Sequence, residues 1–229
     1  MLGTFANAAG IVIGSTIGLV FGSRIPERYN QTIIKAIALA VILMGIQNAL
    51  KAQNMLFVII SLFLGSYLGE YWDIEAKLEK LGAWLEKKIS KAGNSFSKGF
   101  VAATLLHCVG SMAIIGALEG GLSGNHQILY AKSVLDGAID IVLASTLGAG
   151  VIFSSISVLI YQGSIVIAAS FLKQFLVESV VMEMSAIGGL LIIAMGINML
   201  DSKKIRVGNM LPAIFMPLLY FAIKTGFGF

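Results

Sequence analysis

Long apolar segments alternate with short polar stretches along nearly the whole chain. Segments of about 17–25 apolar residues are expected for helices that cross a bilayer. Eight spans are predicted on this basis, at residues 2–22, 32–50, 55–71, 100–118, 136–153, 156–176, 184–200 and 207–223. An alternative takes residues 136–176 as one long helix plus a surface segment, which gives seven spans. The pattern therefore predicts an all-α, polytopic transmembrane helix bundle that forms a single membrane domain over residues 1–229.

Residues 72–99 break this pattern, because charged side chains interrupt the apolar ones. Within 72–91, apolar residues recur at three- and four-residue spacing among lysines and glutamates, at Ile74, Leu78, Leu81, Leu85 and Ile89. This spacing predicts a cytoplasmic amphipathic helix, followed by a linker. One interpretation places the helix in the headgroup plane, with its tryptophans near the interface. The other is an oligomer contact through the same apolar stripe.

Two three-helix segments, residues 1–71 and 154–229, share short sequence echoes on either side of a central hairpin, 100–153. The echoes are LMGIQ at 43–47 and AMGIN at 194–198, NML at 54–56 and 209–211, and the pair Gly-Ser at 14–15 and 163–164. With eight spans, the two segments have opposite orientations and form an inverted repeat, as in many secondary transporters. With seven spans they are parallel. Chance similarity between apolar segments is the remaining explanation.

Composition and charge support the membrane assignment. The chain is 57% hydrophobic and 12% charged, against about 25% charged residues in soluble domains. With eight spans and the N-terminus outside, twelve Lys and Arg residues face the inner side and four the outer side. Seven spans give eleven and five. Because cytoplasmic loops are enriched in Lys and Arg, the distribution favours eight spans. The net charge of +4 is explained by this asymmetry, and no nucleic-acid partner is expected.

Four glycines recur at every fourth position of the first span, at Gly10, Gly14, Gly18 and Gly22. This GxxxG spacing leaves a groove in which a second helix can lie against the backbone. The second helix can belong to the same chain or to a second copy, and a homo-oligomer, in the simplest case a dimer, is expected.

Ionisable residues inside membrane spans are rare and are functional candidates. Asp136 and Asp140 are four residues apart and therefore share one helix face. Glu119 ends the fourth span, so all three carboxylates are expected near the outer mouth. They predict a proton or cation site, or else a structural network with Lys132 as the counter-ion. His107 is read as an uncharged core histidine or as a proton relay.

Small polar residues within the spans predict a solute path. The candidates are Ser15, His107, Ser111, Tyr161, Gln162, Gly163 and Ser164. The Gly-Ser pairs among them, with a third at 110–111, either unwind the helix locally or serve close packing. Their hydroxyl and amide groups either line a water-filled path or bond between helices.

Sequence motifs of enzymes are not found. The chain has no Gly-x-Ser-x-Gly elbow, His-Glu-x-x-His pair or phosphate loop, so neither an enzyme nor a cofactor is expected. A zinc site typically needs three protein ligands. With His107 in mid-span, His126 in a loop and a single cysteine, Cys108, no metal site is expected.

Several tracts together resemble a known family. They are residues 110–122 (GSMAIIGALEGGL), 132–137 (KSVLDG), 161–163 (YQG), 204–212 (KIRVGNMLP) and 3–7 (GTFAN). The chain is similar in these tracts, spread over nearly its whole length, to the YqgA/YdfK-like bacterial membrane proteins, a family without an assigned function. The resemblance implies a multi-pass protein of the bacterial inner membrane and supplies no substrate. The family often has Asp after the equivalent of Gly124, where this chain has Asn125.

The leading functional hypothesis is a secondary transporter of a small solute or ion, coupled to protons or another cation. Its partners are then the lipid bilayer and the solute. One alternative is a non-transporting assembly or signalling protein that dimerises through the glycine ridge. The other is an ion channel.

Overall fold

The structure is a computed structural model and describes residues 1–22, 27–77, 80, 96–109, 111–200 and 205–227. All regular elements in these ranges are helical, which confirms the predicted all-α class. The α-helices are α1 (Leu2–Gly22), α2 (Glu27–Ala49), α3 (Met55–Trp72), α4 (Phe96–Val109), α5 (Ser111–Leu122), α6 (Gln127–Leu147), α7 (Gly150–Ile167), α8 (Ala169–Leu172), α9 (Glu178–Leu200) and α10 (Met216–Phe227). A 3₁₀ helix, Val207–Phe215, precedes α10.

Six of the described helical segments are long and apolar enough to cross a membrane. A seventh is counted if α4 and α5, which are bent by 60° relative to each other, form one broken span. Among the described residues, length and composition therefore identify six or seven spans, fewer than the eight expected from the sequence. Helix α6 has 21 residues but carries Lys132, Asp136 and Asp140, and it is not among the six.

The bounds of the central elements correct the sequence prediction. A polar hairpin was expected over 119–135, but only 123–126 separate α5 from α6. The spans expected at 136–153 and 156–176 are replaced by α6 and α7, which are separated by Gly148 and Ala149. The reason is that the charged side chains of α6 are paired inside the bundle, so the helix continues through its polar residues. It ends at Gly148, whose φ of 80° favours glycine.

The glycine ridge of α1 packs against α6 of the same chain, and the two helices run parallel. Gly10 lies against Ser133 and Gly14 against Gly137, and a Cβ atom built on Gly14 would lie 2.0 Å from the Gly137 carbonyl oxygen. The ridge over these two turns is therefore filled from within the chain. In this structure Gly10 and Gly14 contact α6 of the same chain, and the expected homo-oligomer stays a prediction.

Two further helix pairs are close and antiparallel. In α2 and α9, Gly45 faces Gly189 while Ala38 faces Gly196. In α3 and the 3₁₀ helix, Gly65 faces Ala213 and Gly69 faces Asn209. Helix α9 is the most enclosed span, since 78% of its apolar window is buried. Small residues at the crossing points allow these close approaches.

Local signals fix the ends of α3. Asn54 caps its N-terminus, where the Asn54 side chain accepts a hydrogen bond from the Phe57 N–H. Asp73 ends it in the left-handed conformation with φ 48°, and its N–H donates to the Glu70 carbonyl. Near the C-terminus, Pro212 lies in the 3₁₀ helix, and its missing N–H is consistent with the absence of regular α-helix there.

Some expectations concern residues outside the described ranges. The amphipathic helix predicted over 72–91 lies mostly among them, as do Gly110 and Lys203–Lys204. Ser111 begins α5, but its side chain is not among those described.

Candidate functional site

A buried cluster of charged side chains joins α4 to α6. The His107 ring lies between two carboxylates, with Nε2 at 2.9 Å from Asp140 Oδ1 and Nδ1 at 3.3 Å from Asp136 Oδ1. Lys132 donates a hydrogen bond to Asp136 Oδ1 at 2.9 Å. We call these four residues, His107, Lys132, Asp136 and Asp140, the His107 tetrad. It joins two helices that are antiparallel at this point.

The tetrad is shielded from solvent. His107 and Asp140 have no exposed surface, and Asp136 and Lys132 are 5% and 6% exposed. Three members recur at every fourth residue of α6 and therefore project from one helix face. Helix α4 approaches α6 closely, with Gly99 against Leu147. This approach keeps His107 of α4 beside the three tetrad residues of α6.

The charges of the tetrad depend on one proton. When His107 is protonated, two positive and two negative charges balance. Nε2 then donates a hydrogen bond to Asp140 Oδ1, while Nδ1 lies at ion-pair distance from Asp136 Oδ1. When that proton is absent, a net negative charge remains in the interior of the bundle, where charge is strongly disfavoured. The second oxygen of Asp140, Oδ2, is buried and has no hydrogen-bond partner among the described residues. A proton on His107 Nε2 therefore lies between His107 and Asp140 Oδ1, and its presence sets the net charge of the tetrad.

Glu119 lies apart from the tetrad in its hydrogen bonding. Its Oε2 accepts from the Asn125 side chain at 3.1 Å, in the turn that links α5 to α6. The expected grouping of Glu119 with Asp136 and Asp140 is thus replaced by one that includes His107. Across the described part of the chain, no group of three or more His, Cys, Asp or Glu residues is arranged to hold a metal ion.

A cavity of about 640 Å³ lies on another side of α4. It is half open and is lined by α4, α7, α9, the 3₁₀ helix and α10, with contributions from α5 and from the segment after α7. Most of its lining is apolar: Phe100, Val101, Leu105, Ile114, Ile160, Ile165, Leu172, Leu176, Met184, Leu211, Ile214, Phe215 and Leu218. The polar lining residues are Thr104, Cys108, Ser157, Tyr161 and Ser164. The volume is within the range of about 300–1,000 Å³ typical of ligand pockets.

The residues predicted to form one solute path lie in different parts of the structure. Tyr161 and Ser164 line the cavity. Gln162 and Ser15 are fully buried, and their side-chain polar atoms have no partner among the described residues. Gly163 lies near the Met1 side chain, where α7 approaches the start of α1. His107 belongs to the tetrad, so the candidates fall into at least two separate environments.

Three residues were not expected from the sequence: Thr104, Cys108 as a lining residue, and Asn7. Thr104 donates a hydrogen bond to Ser157 at 3.2 Å across the α4–α7 contact. Asn7 is fully buried, and both polar atoms of its amide are without a partner among the described residues. An amide inside an apolar span is itself a signal, and it identifies Asn7 from the sequence alone.

Comparison with known proteins places the chain in a family. It is 32% identical over 232 residues to "Uncharacterized membrane protein YdfK" of Bacillus subtilis (strain 168), covering 100% of this chain and 99% of the relative. It is also 32% identical over 225 residues to "Uncharacterized protein YqgA" of Escherichia coli (strain K12), with 95% of each chain covered. No solved structure matches. The family described as "Protein of unknown function (DUF554)" matches residues 2–222. The family that the sequence motifs suggested is thereby confirmed, and the chain belongs to this family of membrane proteins.

Proposed function

We propose that the protein is a secondary transporter that couples the movement of a small solute to protons. The observation that carries the proposal is that one helix, α4, takes part in both sites. His107 on α4 contacts Asp140 in the tetrad. Thr104 and Cys108, on the same helix, line the cavity. A change on one side of α4 therefore reaches the other side through a single rigid element.

Protonation supplies the difference between two states of this helix. The protonated tetrad is neutral and holds α4 to α6 through the 2.9 Å contact between His107 and Asp140. Loss of the proton leaves uncompensated negative charge on α6 and weakens that contact. Because α4 also forms a wall of the cavity, proton release on one side of the membrane and uptake on the other can alternate the packing around the solute.

The pairing of helices supports the inverted repeat that this mechanism uses. Helices α1, α2 and α3 each pack against their sequence counterparts, α7, α9 and the 3₁₀ helix with α10. The crossings through Gly45 and Gly65 are antiparallel, and the start of α1 lies near the end of α7. A two-fold axis in the membrane plane pairs equivalent helices in this way.

Eight crossings are part of the proposal. Helix α6 runs parallel to α1 and antiparallel to α4. Because it packs along both helices, it spans the membrane together with them. Its charged residues are compensated within the tetrad, so they do not oppose insertion. With the N-terminus outside, the Lys and Arg residues concentrate on the inner side of a bacterial inner membrane.

The coupling is tested with the full-length protein in liposomes that contain a pH-sensitive dye. Uncharged and charged solutes are added, and solute-dependent proton movement is recorded under an imposed pH gradient. Asp140→Asn is expected to abolish the proton movement, because it removes the carboxylate that faces His107 Nε2. Glu119→Gln is the matched control and is expected to retain it. Solute flux that is independent of the gradient, or unchanged in Asp140→Asn, would contradict the proposal.

The orientation is tested by labelling intact cells with an impermeant maleimide. Cys108, the single cysteine, is first replaced by alanine. Ile205→Cys is expected to react only after the cells are opened, because Ile205 precedes Arg206 on the predicted inner side. Gln53→Cys, in the exposed turn between α2 and α3, is the control and is expected to react from outside. Labelling of position 205 in intact cells would overturn the inverted repeat.

A further inference from the structure

We infer that the cavity beside α4 binds an uncharged, mostly apolar molecule that carries one uncharged hydrogen-bonding group, as in an alcohol or a ketone. The binding site stands on its own geometry. That its ligand is also the transported solute rests on the proposed function.

The lining of the cavity excludes a charged ligand. Its side chains are apolar or carry a hydroxyl, thiol or phenol group, and none of the lining residues is Lys, Arg, His, Asp or Glu. A charge without a counter-ion is strongly disfavoured in the interior of a membrane protein. Amino acids, organic anions and metal ions would enter this cavity without a partner, whereas a hydrocarbon chain matches its walls.

The polar groups of the cavity lie together on one side. Ser157, Tyr161 and Ser164 are spaced by four and three residues and share one face of α7. Thr104 on α4 approaches the same face, and its hydroxyl donates to the Ser157 oxygen at 3.2 Å. A ligand with a single polar end can place that end here and its chain against the apolar remainder.

The hydrogen-bonding groups of these residues are uncharged, and part of their capacity is available to a ligand. The Ser157 oxygen accepts one hydrogen bond, from Thr104, which leaves its own O–H available to donate and a second lone pair available to accept. Ser164 donates to the Tyr161 carbonyl at 2.7 Å. The Tyr161 phenol makes no hydrogen bond among the described residues. Because a hydroxyl group can both donate and accept, the complementary ligand group is an uncharged hydroxyl or carbonyl.

Cys108 can report on binding in the cavity without any introduced labelling site. It is the single cysteine of the chain and lies in the cavity lining. The full-length protein in lipid nanodiscs is treated with N-ethylmaleimide, and the alkylated fraction is followed by mass spectrometry. The probes are 1-octanol, octane, octylamine and octanoate, which share one chain length and differ in the polar end. If Cys108 is unreactive without a probe, the shift in melting temperature on adding each probe is the readout instead.

The expected result is that 1-octanol protects Cys108 more than octane does, and that the charged probes do not protect it. Tyr161→Phe is expected to weaken octanol binding about fivefold, which corresponds to one hydrogen bond of ~1 kcal/mol, and to leave octane unaffected. Tyr130→Phe, at a tyrosine that is 46% exposed and absent from the lining, is the matched control.

Two outcomes would overturn the inference. Equal protection by octane and octanol would mean that the cavity only accommodates lipid chains, and stronger protection by a charged probe would contradict the argument from charge. The assay uses no proton gradient, so it separates this inference from the proposed function. Octanol binding without proton-coupled flux would refute the transport proposal alone, whereas coupled flux of a charged solute without octanol binding would refute the inference alone.

Discussion

Replacing Lys132 with methionine is expected to lower the free energy of unfolding by about 3–5 kcal/mol, the usual effect of removing one partner of a buried ion pair. Lys132 is 6% exposed, and its ammonium group lies 2.8 Å from Asp136 Oδ2. Without it, the remaining charges of the tetrad no longer balance inside the bundle. The measurement is thermal or denaturant unfolding of the purified protein in detergent.

The double variant Lys132→Met with Asp136→Asn is expected to recover most of this loss. Both members of the ion pair are then uncharged, so no charge is left without a partner. Lys224→Met, at an exposed lysine of α10, is the control and is expected to change stability by no more than about 0.5 kcal/mol. If Lys132→Met were as stable as the unmodified protein, the buried ion pair would not exist in the folded state.

Gly14→Ala is expected to separate α1 from α6 and to lower the free energy of unfolding by about 1–3 kcal/mol, the usual effect of overpacking. The new Cβ would lie 2.0 Å from the Gly137 oxygen, and this neighbour is backbone and has no rotamer to change. The measurement is the melting temperature together with the yield of monodisperse protein.

The matched control for this substitution is Gly163→Ala on α7. A Cβ at Gly163 meets only the end of the Met1 side chain, at an ordinary contact distance of 3.5 Å. This variant is expected to fold like the unmodified protein. The prediction would be contradicted if the Gly14→Ala monomer kept its stability and lost only its self-association. That result would mean that the ridge binds a second copy.

The elements that the sequence predicted well are those with a long, uniform apolar pattern. The first three spans and the one at 184–200 agree with α1, α2, α3 and α9 to within a few residues at most of their ends. Their type follows from the requirement that backbone groups in lipid are satisfied within the helix. The central region was placed wrongly, because its polar residues suggested a loop. They belong instead to α6, where tertiary partners compensate their charge.

Part of the candidate site also followed from local spacing. Four-residue intervals place Lys132, Asp136 and Asp140 on one face of a helix, and this needs no knowledge of the fold. The place of His107 does not follow in this way. It is 33 residues from Asp140 in the sequence, and their contact depends on the register of two antiparallel helices.

The sequence by itself determined that this protein is a bundle of membrane helices, which family it belongs to, and which helix faces carry glycine or charge. These properties depend on hydropathy and on the period of a single helix, which are local. Only the tertiary structure decided that the ridge of Gly10 and Gly14 is filled by α6, that His107 lies between two carboxylates, and that a cavity adjoins the same helix. Each of these depends on which helices are neighbours and in what register, and the packing of the whole chain sets both.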